Sequence, residues 1–193
     1  MASALSPARS EEAAPARPAV FLDRDGTLIE DPGYLGDPDG VVLIEGVPDA
    51  LRRLASTGYA LVVISNQAGV ARGLFDEDAV RAVNARVEEL LAEHGARIDA
   101  WHWCVHHPDV TGPCACRKPG TELLERAARE LGLDLGASWM VGDHPTDVQA
   151  GIRAGGRGIM VLTGHGGHGT APPGHPVVAD LRAAADLILG AGR

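Results

Sequence analysis

The run Asp23-Arg24-Asp25-Gly26-Thr27 sets two carboxylates two residues apart, directly after the apolar stretch Ala19 to Leu22. Along an extended chain such residues point the same way, so both acids can face one pocket, and Gly26 lets the backbone turn away without a side chain in that pocket. Carboxylates held this close repel each other unless a cation intervenes, and Mg²⁺ is the hard, oxygen-seeking candidate. An isolated Asp-x-Asp reads as readily as a solvated loop; the apolar strand before it and the Gly-Thr after it weigh against that.

A second constellation is Cys104-x-His106 followed by Cys114-x-Cys116, which contains all 3 cysteines of the chain. Three thiolates and an imidazole make a tetrahedral Zn²⁺ set with no open position, hence a structural site that shapes a loop. His107 is the rival ligand, and His106 is preferred because its spacing mirrors that of the second pair. A reduced compartment explains three clustered cysteines better than a disulfide framework does. Lys118, the sole lysine among 17 basic residues, follows directly in Arg117-Lys118-Pro119. Lysine is a compact point charge where arginine is a planar fork, so it marks a place where arginine would not serve.

These residues need elements to hold them. Short apolar runs alternate with amphipathic stretches: strands over 19–23, 59–65, 98–105, 139–142 and 158–162, and helices over 48–56, about 76–95, 121–131, 146–154 and 179–189. Continuous apolar strands between helices predict a doubly wound parallel α/β sheet covered on both faces. Ligands of such sheets bind beyond the carboxyl ends of the strands, where strand order reverses. Asp23, Ser65, the cysteine segment and Asp143 all fall where a strand hands over to a loop, which predicts one shared site.

The 193 residues suffice for a single domain, expected over 18–190, with 1–17 as a disordered tail rich in Ala, Pro, Ser and Glu. The formal charge of -9 argues against nucleic acid or anionic membrane as a partner. No apolar run spans a bilayer, and the tail lacks the central apolar stretch of a secretory signal, so a cytoplasmic location is expected; the chain is also expected to act as a monomer. The histidines of 164–175 lack a strand or helix to fix them and are not counted as a metal site.

Taken in order, Asp23-Arg24-Asp25-Gly26-Thr27, Ser65 after Val-Val-Ile, Lys118, and Val141-Gly142-Asp143 with Asp147 behind resemble the four motifs of the haloacid dehalogenase (HAD) superfamily of aspartyl-phosphate enzymes. That resemblance implies strand order 5-4-1-2-3 and a nucleophilic Asp23. Asp25 would be the proton donor and acceptor, with Ser65 and Lys118 on the phosphoryl oxygens. Mg²⁺ would be held by Asp23, Asp143 and the Asp25 carbonyl, and Asp147 would orient this shell. Cys-x-His-His-Pro and Cys-x-Cys-Arg-Lys-Pro are narrower signatures, similar to the heptose 1,7-bisphosphate 7-phosphatases and the related histidinol-phosphate phosphatases. Asp31-Pro32-Gly33-Tyr34 and the run from Ser65 to Gly73 look more like the heptose branch. The resemblance implies no large cap domain, a pocket closed by loops around 33–42, 69–75 and the zinc segment, and a small phosphorylated metabolite as substrate. Asp31, Gly33, Tyr34, Ser65, Asn66, Gln67, Arg72, Arg117 and Lys118 would contact it, with Arg117 or Arg72 on a second phosphate. His144 stands where that branch carries a lysine. A receiver-like phospho-accepting module is the rival class, but it would lack Asp25 and the zinc loop.

Overall fold

The computed structural model describes residues 16–167 and 171–191. The expected tail therefore lies outside the described residues up to position 15. Six parallel strands form one sheet in the order β3-β2-β1-β4-β5-β6, with β1 Arg17–Leu22, β2 Ala60–Asn66, β3 Ala100–Cys104, β4 Leu133–Gly142, β5 Arg157–Val161 and β6 Val177–Val178. This is the expected order extended by one short edge strand. β6 escapes sequence reading because two valines set no period.

The long helices are α1 Val47–Ser56, α3 Glu77–Glu93, α5 Glu122–Leu131, α6 Pro145–Arg153 and α7 Leu181–Ala191, with single-turn helices α2 Ala68–Ala71 and α4 Pro108–Thr111 between them. Asp76 accepts from the Ala79 amide at the start of α3, and Gly132, left-handed at φ 64, closes α5.

Strand side chains alternate between two cores. Val20, Leu22, Leu61 and Val63 face one side, against Leu51 and Leu54 of α1, Val83 and Val87 of α3, and Ala184 and Ile188 of α7. Ala19, Phe21, Val62 and Ile64 face the other, against Leu123, Leu124 and Ala127 of α5 and Ala150 of α6. The doubly apolar strands expected from sequence are thus explained by helices on both faces.

Two boundaries move. Arg17 belongs to β1 rather than to a tail, because its amide reaches Gly132 O at 3.2 Å and its guanidinium lies 3.7 Å from Asp99. β4 starts at Leu133 rather than Trp139, because Leu133 and Asp134 pair with Arg17 and Pro18 before the register shifts. The strand order reverses between β1 and β4, and all six carboxyl ends share one edge. Leu51→Ala empties a fully buried site between α1 and the sheet. It should cost about 2–5 kcal/mol in chemical denaturation without altering the residues at that edge.

Candidate active site

Asp23 follows β1 directly, and its amide continues the ladder to Val141 O at 2.9 Å. Asp143 follows β4 in the same way, so the central strand pair delivers two carboxylates to one point. Asp147, on the first turn of α6, joins them: ligand oxygens of Asp23, Asp143 and Asp147 all lie within 4.8 Å of one another. Close approach here is a backbone matter. Gly26 sits at φ 76, and a methyl group on it would collide with the Asp143 carboxylate; one on Gly142 would collide with that of Asp147.

Lys118 enters this cluster as a buried cation, its ammonium 2.7 Å from Asp23 Oδ1, 2.8 Å from Asp147 Oδ1 and 2.6 Å from Ile64 O. Burial opposes the charged ammonium, but Asp147 and Asp23 outweigh it and hold its pKa above the ordinary lysine value. Asp147 spends its other oxygen on the His144 amide at 2.9 Å, so it anchors Lys118 and the start of α6. One lysine does not balance the carboxylates. Burial above all pushes the Asp23 carboxyl up to about 8; Lys118 pulls it down, while Asp147, Asp25 and Asp143 push it further up. Asp143 is raised for the same leading reason, against the His165 amide that donates to it at 2.7 Å. A deficit of positive charge beside clustered carboxylate oxygens is what a hard divalent cation such as Mg²⁺ fits.

Asp25 stands apart from that cluster. Its carboxylate lines the same cleft but is gripped by the Arg24 guanidinium (Nη2 to Oδ1 at 2.9 Å) and by Gln67 Nε2 at 2.7 Å. Its side chain is therefore spent on these two groups and lies outside the Asp23, Asp143 and Asp147 cluster. Gln67 Nε2 also donates to Ser65 Oγ at 2.7 Å, tying the end of β2 to Asp25.

The cleft measures about 900 Å³ and is lined by Asp23, Asp25, Asp31, Gly33, Tyr34, Asn66, Gln67, Arg117, Lys118 and Asp143, among others. Ser65 lies buried behind this lining, 3% exposed. Asn66 does more than border the cleft: it accepts from the Lys118 amide at 3.0 Å and donates to the Lys118 carbonyl at 3.3 Å, fixing that backbone. Arg72 is not brought in with the rest; it lies 5.9 Å over Tyr34 with its head 3.0 Å from His107 Nε2. Of the loops expected to close the pocket, 33–42 lines it only through Gly33 and Tyr34, the cysteine segment lines it with Cys114, and 69–75 does not line it; Phe75 packs instead against Gly36 and Gly69.

His144 lines the cleft at the position where the heptose branch carries a lysine, and among the lining residues that the sequence does not mark as contacts are Arg153 and His165. The His165 ring lies 3.0 Å from Asp31, on a 3₁₀ turn spanning Gly164–Gly167, within a stretch that offers no periodic signal. Arg153 reads from sequence as one more exposed residue ending a helix. Only the fold turns it toward the cleft.

The second constellation also assembles. Cys104 Sγ lies 3.6 Å from His106 Nδ1 and 3.7 Å from Cys114 Sγ, and Cys116 Sγ lies 3.3 Å from His106 Nδ1, 3.5 Å from Cys114 and 2.7 Å from Cys104. Burial, then the hydrogen bond with Cys116, pushes the Cys104 thiol far above its ordinary pKa. A cation bound by these sulfurs would reverse that preference and draw all three as thiolates. His107 faces elsewhere, capping α4 through the Asp109 amide, which leaves His106 as the imidazole of the set.

The carboxylate excess has a measurable cost. The Asp23 pKa stands near 8 in the folded chain against an ordinary value of 3.8, so the folded state holds the extra proton between those limits. Metal-free stability should therefore fall as pH rises from about 4 through about 8. Asp23→Asn should remove that component and raise Tm at pH 8 in chelator by about 2–4 °C for each kcal/mol regained. Thermal scans at pH 5 and pH 8, with and without Mg²⁺, check both effects. The wild-type chain should also gain the larger Mg²⁺-induced shift.

Comparison with known proteins agrees with this geometry. The HAD-hydrolase-like family model matches residues 115–184. The D-glycero-beta-D-manno-heptose-1,7-bisphosphate 7-phosphatase of Yersinia pestis is 41% identical over 178 residues, covering 89% of each chain. Its Haemophilus influenzae counterpart is 40% identical over 176 residues, covering 89% of this chain and 90% of the relative. Among solved structures, the D,D-heptose 1,7-bisphosphate phosphatase from B. bronchiseptica, complexed with magnesium and phosphate, superposes with a TM-score of 0.82 at 35% identity, covering 90% and 99% of the two chains. With an identity of this level across nearly the whole chain, and with the motif carboxylates and Lys118 meeting at one strand edge, the chain belongs to the HAD-like hydrolase family.

Proposed function

We propose that this protein is a Mg²⁺-dependent phosphomonoester hydrolase that removes a phosphoryl group from a heptose 1,7-bisphosphate through an aspartyl-phosphate on Asp23. The observation that carries the reading is the convergence of Asp23, Asp143, Asp147 and the buried Lys118 at the reversal point of the sheet.

Mg²⁺ held by Asp23, Asp143 and the Asp25 carbonyl would screen the anionic nucleophile from the anionic ester and keep Asp23 ionised. An Asp23 carboxylate oxygen attacks phosphorus, the P–O bond to the sugar breaks, and the departing alkoxide takes a proton from the Asp25 carboxyl. Water then attacks the phosphorus of the aspartyl-phosphate and gives its proton back to Asp25. The P–O bond to Asp23 breaks, releasing inorganic phosphate and restoring both acids. Lys118, the buried cation that borders the cleft, meets the charge that spreads over the phosphoryl oxygens; Ser65, expected to share this task, sits behind the lining and instead holds Gln67, the partner of Asp25. Asp147 holds Lys118 in place for this task.

A second phosphate on the substrate needs cations that are not already spent. Lys118 is taken up by two carboxylates, whereas Arg117 and Arg153 line the cleft with only single 3.3 Å contacts to backbone carbonyls, those of His106 and Pro119. Arg117 with Arg153 therefore replaces the expected choice of Arg117 or Arg72, because Arg72 is engaged on Tyr34 and His107. Names of relatives at about 40% identity support the heptose substrate.

Cys104, His106, Cys114 and Cys116 would hold a structural Zn²⁺ that pins the loop from which Arg117 and Lys118 follow. Reduced thiols suit a cytoplasmic setting, and among the described residues no helix is long and apolar enough to cross a membrane.

Phosphate release with Mg²⁺ should favour the heptose bisphosphate over histidinol phosphate and simple sugar phosphates; dominant turnover of histidinol phosphate would overturn the substrate assignment. Metal analysis of chelator-free, reduced protein should find about one zinc per chain. Stripping it should lower kcat by loosening Lys118, and zinc alone should restore the loss.

A further inference from the structure

Among the described residues only two Lys or Arg side chains are buried, Lys118 and Arg24. The proposed reaction gives Lys118 its task and leaves Arg24 with none. A guanidinium that is 1% exposed is costly to desolvate unless its donors are met. Arg24 meets two partners: Nε approaches both Asp25 oxygens, at 3.2 and 3.1 Å, Nη2 reaches Oδ1 at 2.9 Å, and Nη1 donates to Asn84 Oδ1 at 2.9 Å.

Asn84 is as unexpected as Arg24. It lies on the inward stripe of α3 beside Val80, Val83, Val87 and Leu91, where an apolar residue would pack without a polar group to satisfy. Among the described residues its carbonyl oxygen has one partner, Arg24. From just beyond β2, Gln67 Nε2 also holds Asp25 Oδ2 at 2.7 Å. A core helix, a buried fork and a strand-end amide thus converge on one carboxylate that borders the cleft.

We propose that Arg24, steadied by Asn84, is a positioning residue that fixes the orientation of Asp25 for proton transfer at the ester oxygen. This rests on the phosphatase reading above. The planar fork grips the carboxylate along an edge and so sets its direction, which the single point charge of a lysine cannot do. Neither Arg24 nor Asn84 lines the cleft, so neither touches substrate.

The test uses leaving groups of different basicity. A sugar alkoxide needs the proton that Asp25 delivers, whereas p-nitrophenolate leaves without one. kcat/KM reports steps only up to the first irreversible one, so for both esters it excludes the later attack by water. Arg24→Lys should lower kcat/KM for the heptose bisphosphate by about 30–100-fold and for p-nitrophenyl phosphate by less than about 3-fold. Asn84→Leu, which keeps an apolar core position filled, should shift the same ratio by about 5–10-fold. It carries the comparison should Arg24→Lys prove insoluble. Equal losses on both esters, or an unchanged ratio in a folded variant, would make Arg24 merely structural and overturn the proposal while leaving the phosphatase reading intact. Wild-type protein with Mg²⁺ that hydrolyses neither ester would remove that reading and the proposal together.

Discussion

One buried ammonium among four carboxylates governs this structure. Lys118 is paired with Asp23 and Asp147, Asp143 stands beside them, and Asp25 is gripped separately by Arg24. Desolvated charge is tolerated only when its partners are in place, so every element that delivers one of these groups is constrained by the others. β1 and β4 must be neighbours to bring Asp23 and Asp143 together, and α6 must start close behind β4 to supply Asp147. The remaining negative charge makes the site a receptor for a cation and, once that cation is bound, for a phosphate ester.

Around that centre the chain spends several polar residues on holding rather than reacting. Asn66 clamps the backbone of Lys118, Asp147 its ammonium, and the cysteine cluster shapes the segment that leads into it. Gln67 and Arg24 do the same for Asp25. Preorganisation of this kind matters most where charge moves during reaction, because an aligned group does not have to reorient in the transition state. The few cleft cations not consumed by such holding are Arg117 and Arg153, and these set what else the substrate must carry.

Most of this architecture was legible in the residues themselves. Apolar strands closed by Asp23, Ser65 and Asp143 announce a parallel sheet with one functional edge, and the paired Cys and His spacing announces the second cluster. The preference for His106 over His107 rested on symmetry of spacing and agrees with the geometry. Other features depend on contacts between residues far apart in the chain and leave no local trace. Arg24 and Asn84 are 60 positions apart and meet only because α3 packs beside the β1 loop. Arg72 looked like a substrate contact from its neighbours in sequence, yet its side chain stacks on Tyr34. Arg153 and His165 reach the cleft from a helix end and a glycine-rich turn whose direction only the folded chain determines. Edge strand β6 is too short to show a period, and Arg17 joins β1 through partners at Gly132 and Asp99.

The claim beneath all of this is that phosphorus becomes covalently attached to Asp23 during turnover. Acid quenching of the Mg²⁺-loaded protein in the steady state, followed by peptide mass spectrometry, addresses it directly. The account predicts one phosphoryl group on Asp23, removed by hydroxylamine and gone once substrate is exhausted. Turnover at full rate with Asp23 unmodified, or with the phosphoryl group on any other residue, would contradict it.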